Sequence, residues 1–124
     1  MPVDPTGHDL KRFLSEDPGG PVVMLNLLKY KPDGRASYER YVEAFGDHGK
    51  RFGAEILAVG DCATALVAPD THDWDSVLLV RYPSRQAFSD MVRDAGYQQI
   101  THLRTEALDA AVLQPLRGWA DAGA

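Results

Sequence analysis

"VVMLNLLKY", residues 22–30, reads as a strand bound for the middle of a sheet. Every position from Val22 to Leu28 is apolar except Asn26. A run with so little alternation is typical of a strand buried on both faces. A side-chain amide inside it costs free energy unless both of its ends find partners. Asn26 is therefore either a structural hydrogen-bonding group or a group kept for a ligand, and the rest of the chain bears on which.

Upstream, "DPGGP" at 17–21 breaks the chain, and before it Leu10, Phe13 and Leu14 recur at helical spacing with Thr6 or Asp9 as cap. Downstream, "KPDGR" at 31–35 is a turn. A helix follows with Tyr38, Tyr41, Val42, Phe45 and Phe52 on one stripe and Ser37 as its cap. "GAEILAVGDCATALVAP" reads as extended, with Gly60-Asp61 predicting a bend or bulge between two short strands. "DTHDWD" is a loop, and "SVLLVRY" is a strand closed by Pro83. Ser84 caps a helix carrying Phe88, Met91, Val92 and Ala95, and Gly96 punctuates it. A further helical piece aligns Tyr97, Ile100, Arg104 and Ala107, and "DAAVLQP" is the last strand. In the tail, "LRGWADAGA", Trp119 suggests a docked end.

The order β-α-β-β-α-β predicts an α+β, ferredoxin-like fold: an antiparallel sheet with helices on one face. We expect an N-terminal helical extension over 1–20, this domain over 21–115 and a tail over 116–124. Two helices cover one face of a four-stranded sheet, yet both faces here are apolar. Met24 and Leu28 lie opposite Val23, Leu25 and Leu27, and Val77 and Leu79 lie opposite Leu78 and Val80. A second copy is the economical cover for the other face. The expectation is a homodimer joined through sheet faces, a dimeric α/β barrel enclosing a partly apolar cavity.

Composition bounds the partners. A chain of 124 residues with 44% hydrophobic and 25% charged residues can build one core without staples. The lone Cys62 has no disulfide partner and no metal-ligand partner at a useful spacing. That pattern fits a reducing compartment, and cytoplasmic residence is expected. A net charge of −5 with scattered Lys and Arg argues against nucleic acid or an anionic membrane as partner. "MPVDPTGHDL" shows no signal-peptide pattern, and no apolar run approaches membrane-spanning length.

Several segments carry a family resemblance. "MLNLLKYK", the Tyr38/Tyr41 pair, "FGAEILAVG", "WDSVLLVRYPS" and "DAGYQQITHLRTEAL" resemble, in order, recurring segments of domain-of-unknown-function family 1330 in the dimeric α/β-barrel superfamily. The opening "DPT" and the helix after it resemble a longer subset of that family. The resemblance covers nearly all of the chain to about Gln114. It implies the ferredoxin-like fold and a face-to-face dimer, and no established activity. Relatives in the wider superfamily include cofactor-free monooxygenases, lactone isomerases, haem-handling enzymes and ligand-binding regulators, and fold alone does not choose among them.

Candidate site residues follow. If Val23, Leu25 and Leu27 face the helices, Asn26 faces the dimer cavity, where its amide can orient a carbonyl or hydroxyl. Arg81, on the face of Val77 and Leu79, can meet a carboxylate at the cavity mouth or pair with an acidic neighbour. Tyr97 and Arg104 are two helical turns apart and share a face. An Arg on an apolar stripe needs an acidic partner, carbonyls or an anionic ligand. His48, between Phe45 and Phe52, is the best-placed acid/base candidate, because imidazole titrates near neutrality. His102 points elsewhere on its helix. His72 with Asp70, Asp73 and Asp75 resembles a metal cluster only superficially, so no metal site is assigned. No phosphate-cradling loop, dinucleotide fingerprint or Ser/His/Asp triad is visible, and no cofactor is assigned.

Two functions follow. One is a dimer that binds a small organic molecule, anionic in one version, in its barrel cavity, with cofactor-independent monooxygenase- or isomerase-like chemistry. The other is a non-catalytic ligand- or protein-binding dimer whose polar residues are structural. A cavity reached by both Asn26 and Arg81 would favour the first.

Overall fold

A computed structural model describes residues 3–121 of the chain. Helix α1 (Gly7–Ser15) leads to strand β1 (Val22–Tyr30), which is followed by α2 (Gly34–Lys50), β2 (Glu55–Asp61) and β3 (Ser76–Tyr82). Helices α3 (Arg85–Arg93) and α4 (Ala95–Ala107), strand β4 (Leu108–Leu116) and a 3-10 turn (Trp119–Asp121) complete it. The four strands form one antiparallel sheet in the order β2-β3-β1-β4. This is the ferredoxin-like arrangement expected from the element order. No helix among the described residues is long and apolar enough to cross a membrane.

Local chemistry sets the helix ends. Thr6 caps α1 in a reciprocal capping box with Asp9. Ser84 Oγ accepts from the Ala87 amide at 3.0 Å to start α3. Asp94 ends α3 with its amide donating to the Met91 carbonyl, and its carboxylate starts α4 by accepting from the amides of Gly96 and Tyr97. Helix α2 starts earlier than its sequence suggests. It begins at Gly34, after Asp33 in a left-handed conformation, and Ser37 is no cap: its hydroxyl donates to the Leu103 carbonyl at 2.8 Å. That bond ties α2 to α4.

The helix-facing core gathers Tyr38, Tyr41 and Phe45 from α2, Phe88 and Met91 from α3, and Ala107 from α4 against Met24, Leu28, Leu78 and Val80. Here one expectation is reversed. In β1 the buried set is Val22, Met24, Asn26 and Leu28, while Val23, Leu25 and Leu27 are half-exposed on the open face. Alternation is the same whichever way a strand is turned, and both sets are apolar. Only the packing of the helices decides which set is covered. Asn26 thus lies beneath the helices and not on the open face. The open face carries Val23, Leu25, Leu27, Val77 and Leu79, with Arg81 in the same row.

Two smaller expectations also change. The extended segment after residue 54 is one strand, β2, and its irregularity falls between Ile56 and Ala58 rather than at Gly60-Asp61. Trp119 does not dock: it is 97% exposed, and the turn is held instead through Asp121. Residues 122–124 of the tail lie outside the described residues.

The entry to α2 and the end of α4 meet backbone to backbone. The Lys31 amide donates to the Ala107 carbonyl at 2.9 Å, and a Cβ on Gly34 would overlap that same carbonyl oxygen. Gly34→Ala is therefore expected to cost about 2–3 kcal/mol, as overpacking against backbone cannot be relieved by a rotamer change. Urea unfolding of the variant measures this, and an unchanged transition midpoint would contradict it.

Candidate functional site

One cavity lies inside the chain, between the sheet and the helix layer. Its volume is about 210 Å³. Aromatic and aliphatic walls come from Tyr41, Phe45, Tyr82, Phe88, Met91 and Leu78. Asn26, Tyr97 and Arg104 also line it, so three of the expected residues meet in one place. They come from the middle of β1 and from one face of α4.

Asn26 is 6% exposed. Its Nδ2 donates to the Leu78 carbonyl at 3.2 Å and, at the limit of a hydrogen bond, to the Met24 carbonyl at 3.5 Å. One end of the amide is thus held by the sheet. Its Oδ1 accepts no hydrogen bond among the described residues.

Arg104 is 4% exposed. Its Nη1 donates to Asp4 Oδ1 at 2.7 Å and to the Val3 carbonyl. Its Nη2 is buried and meets no partner in good hydrogen-bond geometry, although the neighbouring Tyr38 phenol interacts with the guanidinium. Burial opposes the guanidinium charge, and Asp4 is the one formal counter-charge lining the cavity. A half-paired guanidinium in such a place has bonding capacity to spare, because its fork carries five donors.

Tyr41 and Tyr97 are joined hydroxyl to hydroxyl at 2.8 Å. One of the two phenols donates and the other accepts, which leaves one proton free to point at a third oxygen. Tyr38 lies alongside Tyr41, ring centroids 5.3 Å apart, and its hydroxyl is buried without a partner. Desolvation pushes the phenols of Tyr38, Tyr41 and Tyr82 well above their ordinary pKa, so all three are neutral hydrogen-bond donors at physiological pH.

The other expected residues are elsewhere. Arg81 faces the opposite side of the sheet, and its Nη2 pairs with Asp121 Oδ1 at 3.4 Å. Asn26 and Arg81 therefore lie on opposite faces of the sheet and share no cavity within the chain. His48 is half-buried on α2 against the start of α4, where a Cβ on Gly96 would come within 2.8 Å of its Cε1. It does not line the cavity. His102 and His72 are exposed, and Asp73 and Asp75 pair with Lys29. Tyr41 and Asp4 are among the polar lining residues that sequence reasoning missed. Tyr41 read as packing, although a Tyr where a Phe would fill the stripe hints at a use for its hydroxyl. Asp4 lies outside every periodic pattern, and its partner is 100 residues away.

A family described as "Domain of unknown function (DUF1330)" matches residues 26–114, and the chain belongs to that family. No curated protein matches it. Among solved structures it is similar to a protein of unknown function from Rhodopseudomonas palustris, at 31% identity and a TM-score of 0.83, over 94% of this chain and 95% of that one. A dimeric ferredoxin-like protein of unknown function from Thermobifida fusca aligns at 11% identity and a TM-score of 0.56, over 82% and 93%. SnoaB, a cofactor-independent oxygenase from Streptomyces nogalater, aligns at 10% identity and a TM-score of 0.57, over 81% and 94%. At such low identity the last two show the shared fold alone.

The buried phenols set a pH limit on stability. An unfolded tyrosine releases its proton near pH 10.0, and the folded Tyr41 and Tyr82 release theirs well above that. Stability is full below about pH 10 and falls as pH climbs from there toward the folded-state values, because the unfolded chain ionises first. Tyrosinate absorbance should show these phenols titrating only together with unfolding. Their titration near pH 10 in a protein still folded by circular dichroism would refute the assignment.

Proposed function

We propose that this chain binds a small organic molecule bearing a carboxylate or an enolate-like oxygen in the cavity between its sheet and helices, and that it acts as a homodimer. The observation that carries the reading is the unpartnered Nη2 of the buried Arg104. Natural proteins seldom leave such a group without a partner unless something else supplies one. The Asn26 Oδ1 and the spare phenol proton of the Tyr41–Tyr97 pair add an acceptor and a donor around the same space. Aromatic walls favour a flat, largely apolar body. A volume of about 210 Å³ lies below the ~300–1,000 Å³ usual for drug-sized ligands, which favours a single ring.

The same set suits chemistry without a cofactor. A guanidinium and neutral phenols in a desolvated site can stabilise an oxyanion that develops when a substrate loses a proton next to a carbonyl. A cofactor-independent oxygenase of the same fold is consistent with that. The non-catalytic alternative has its own support. Asp4 is the one lining carboxylate, it is already paired with Arg104, and no histidine among the described residues lines the cavity. Among the described residues, the cavity thus lacks a group placed to act as general base.

The dimer reading rests on the open sheet face, where Val23, Leu25, Leu27, Val77 and Leu79 have no cover within the chain. The lone, exposed Cys62 suits a reducing compartment such as the cytoplasm.

Benzoate is a fitting first probe, with benzyl alcohol as its uncharged counterpart. Benzoate should raise the thermal midpoint of the wild type and benzyl alcohol should not. Tyr41→Phe combined with Tyr97→Phe, which removes the phenol donors facing the cavity, should weaken benzoate binding about tenfold, the order of one hydrogen bond to a charged group. Equal shifts with both probes would remove the anion from the proposal. For the dimer, Leu25→Glu combined with Leu79→Glu should halve the mass seen by light scattering. A monomeric wild type, or a double variant of unaltered mass, would rule out association through this face.

A further inference from the structure

The residues that close the cavity belong to the N-terminal segment. Asp4 and Pro5 line it, and the same two residues line a second cavity of about 410 Å³ between α1 and β4. Met24, Phe88 and Leu113 are walls of both. Residues Val3–Pro5 therefore belong to the partition between two adjoining spaces. The second space is walled on its apolar side by Leu10, Phe13, Ala111 and Leu113. Its rim charges are occupied with one another: Arg12 stands 3.5 Å from Asp9 and 3.8 Å from Glu16.

The partition is held by few groups. Arg104 Nη1 takes Asp4 Oδ1 and the Val3 carbonyl, and Thr105 Oγ1 donates to Asp4 Oδ2 at 2.8 Å. Further along, α1 rests on α3. Arg85 donates to the Phe13 carbonyl at 2.8 Å and stacks over the Phe13 ring, which meets Phe88 edge-on at 5.5 Å. At the far end, Gly19 and Gly20 both sit at positive φ, +85° and +78°, where backbone rotation costs glycine least. The segment is thus pinned at its start by one carboxylate and ends on a flexible pair.

The chemistry of that pin is the informative part. A carboxylate on a buried guanidinium, beside an Nη2 with no partner, is the arrangement an incoming carboxylate would adopt with both donors satisfied. We propose that Asp4 holds the place of a ligand carboxylate on Arg104, and that a monocarboxylate with an extended apolar tail displaces it, lifting residues Val3–Pro5 so that the two cavities become one site. The head lies on Arg104 and the Tyr41–Tyr97 pair, and the tail runs between α1 and β4. This rests on the reading of the cavity as an anion site, and it names the ligand class and the group that competes with it.

Octanoate is the probe, with benzoate, which needs only the smaller space, beside it. Calorimetric titration compares wild type, Asp4→Asn and Thr105→Val; the second variant loosens Asp4 from outside the cavity. Both variants should bind octanoate about tenfold more tightly, because less of the population is closed by Asp4. Saturating octanoate should also speed amide exchange over Leu10–Ser15 in the wild type. Unchanged or weaker octanoate affinity in the variants, or exchange that does not move, overturns the displacement and leaves the anion site standing if benzoate still binds. Failure of octanoate and benzoate to bind any of the three proteins overturns both readings.

Discussion

A buried guanidinium cannot be left alone in a protein core, and much of this molecule is arranged around Arg104. Its charge sits on α4, beneath the sheet, where desolvation works against it. One counter-charge arrives from Asp4, which requires the N-terminal segment to lie against α4. The tyrosines around it stay neutral because the same lack of water that penalises the cation also penalises a phenolate. Cation and phenols together make a donor-rich pocket with one carboxylate in it. Asn26 belongs to the same design, with its Nδ2 given to the sheet and its oxygen left over.

The sheet supplies the rest of the frame. Helices α2, α3 and α4 cover one face, and tight backbone contact at Gly34 and Ala107 sets how closely α2 can approach the end of α4. The Ser37 bond to Leu103 adds a second tie between the same two helices. These ties fix Tyr41 on α2 relative to Tyr97 on α4, and so fix the hydroxyl pair between them. Rigid elements thus set the geometry of the hydroxyl pair, while the N-terminal segment is held against α4 by a few polar contacts.

The elements themselves were legible because their periods are strong. Val22–Tyr30 has the bounds its apolar run suggests, and the stripe of Tyr97, Ile100, Arg104 and Ala107 faces inward as its spacing implies. What could not be read was handedness of placement. The two faces of β1 carry side chains of similar size and polarity, so alternation alone cannot say which the helices take. That ambiguity moved Asn26 from the open face to the covered one, and the β1–β3 register, which sets Asn26 opposite Leu78 and Arg81 opposite Val23, parts it from Arg81. Tyr97 and Arg104 stayed together because helical spacing links them without reference to any other element. The partners of the two arginines were illegible for a different reason. Asp4 and Asp121 lie in short terminal segments whose docking depends on contacts far away in sequence.

The edges of the sheet have a consequence for how copies of this chain meet. Strand β2 leaves Ile56, Leu57 and Val59 exposed, which on a flat edge would template another strand. It is not flat: Leu57 has no partner on β3, and the ladder slips by one residue there. At the other edge, Pro115 in β4 offers no amide hydrogen to a newcomer. Neither border is suited to continuous strand addition, so the fold carries its own protection against growth into fibrils.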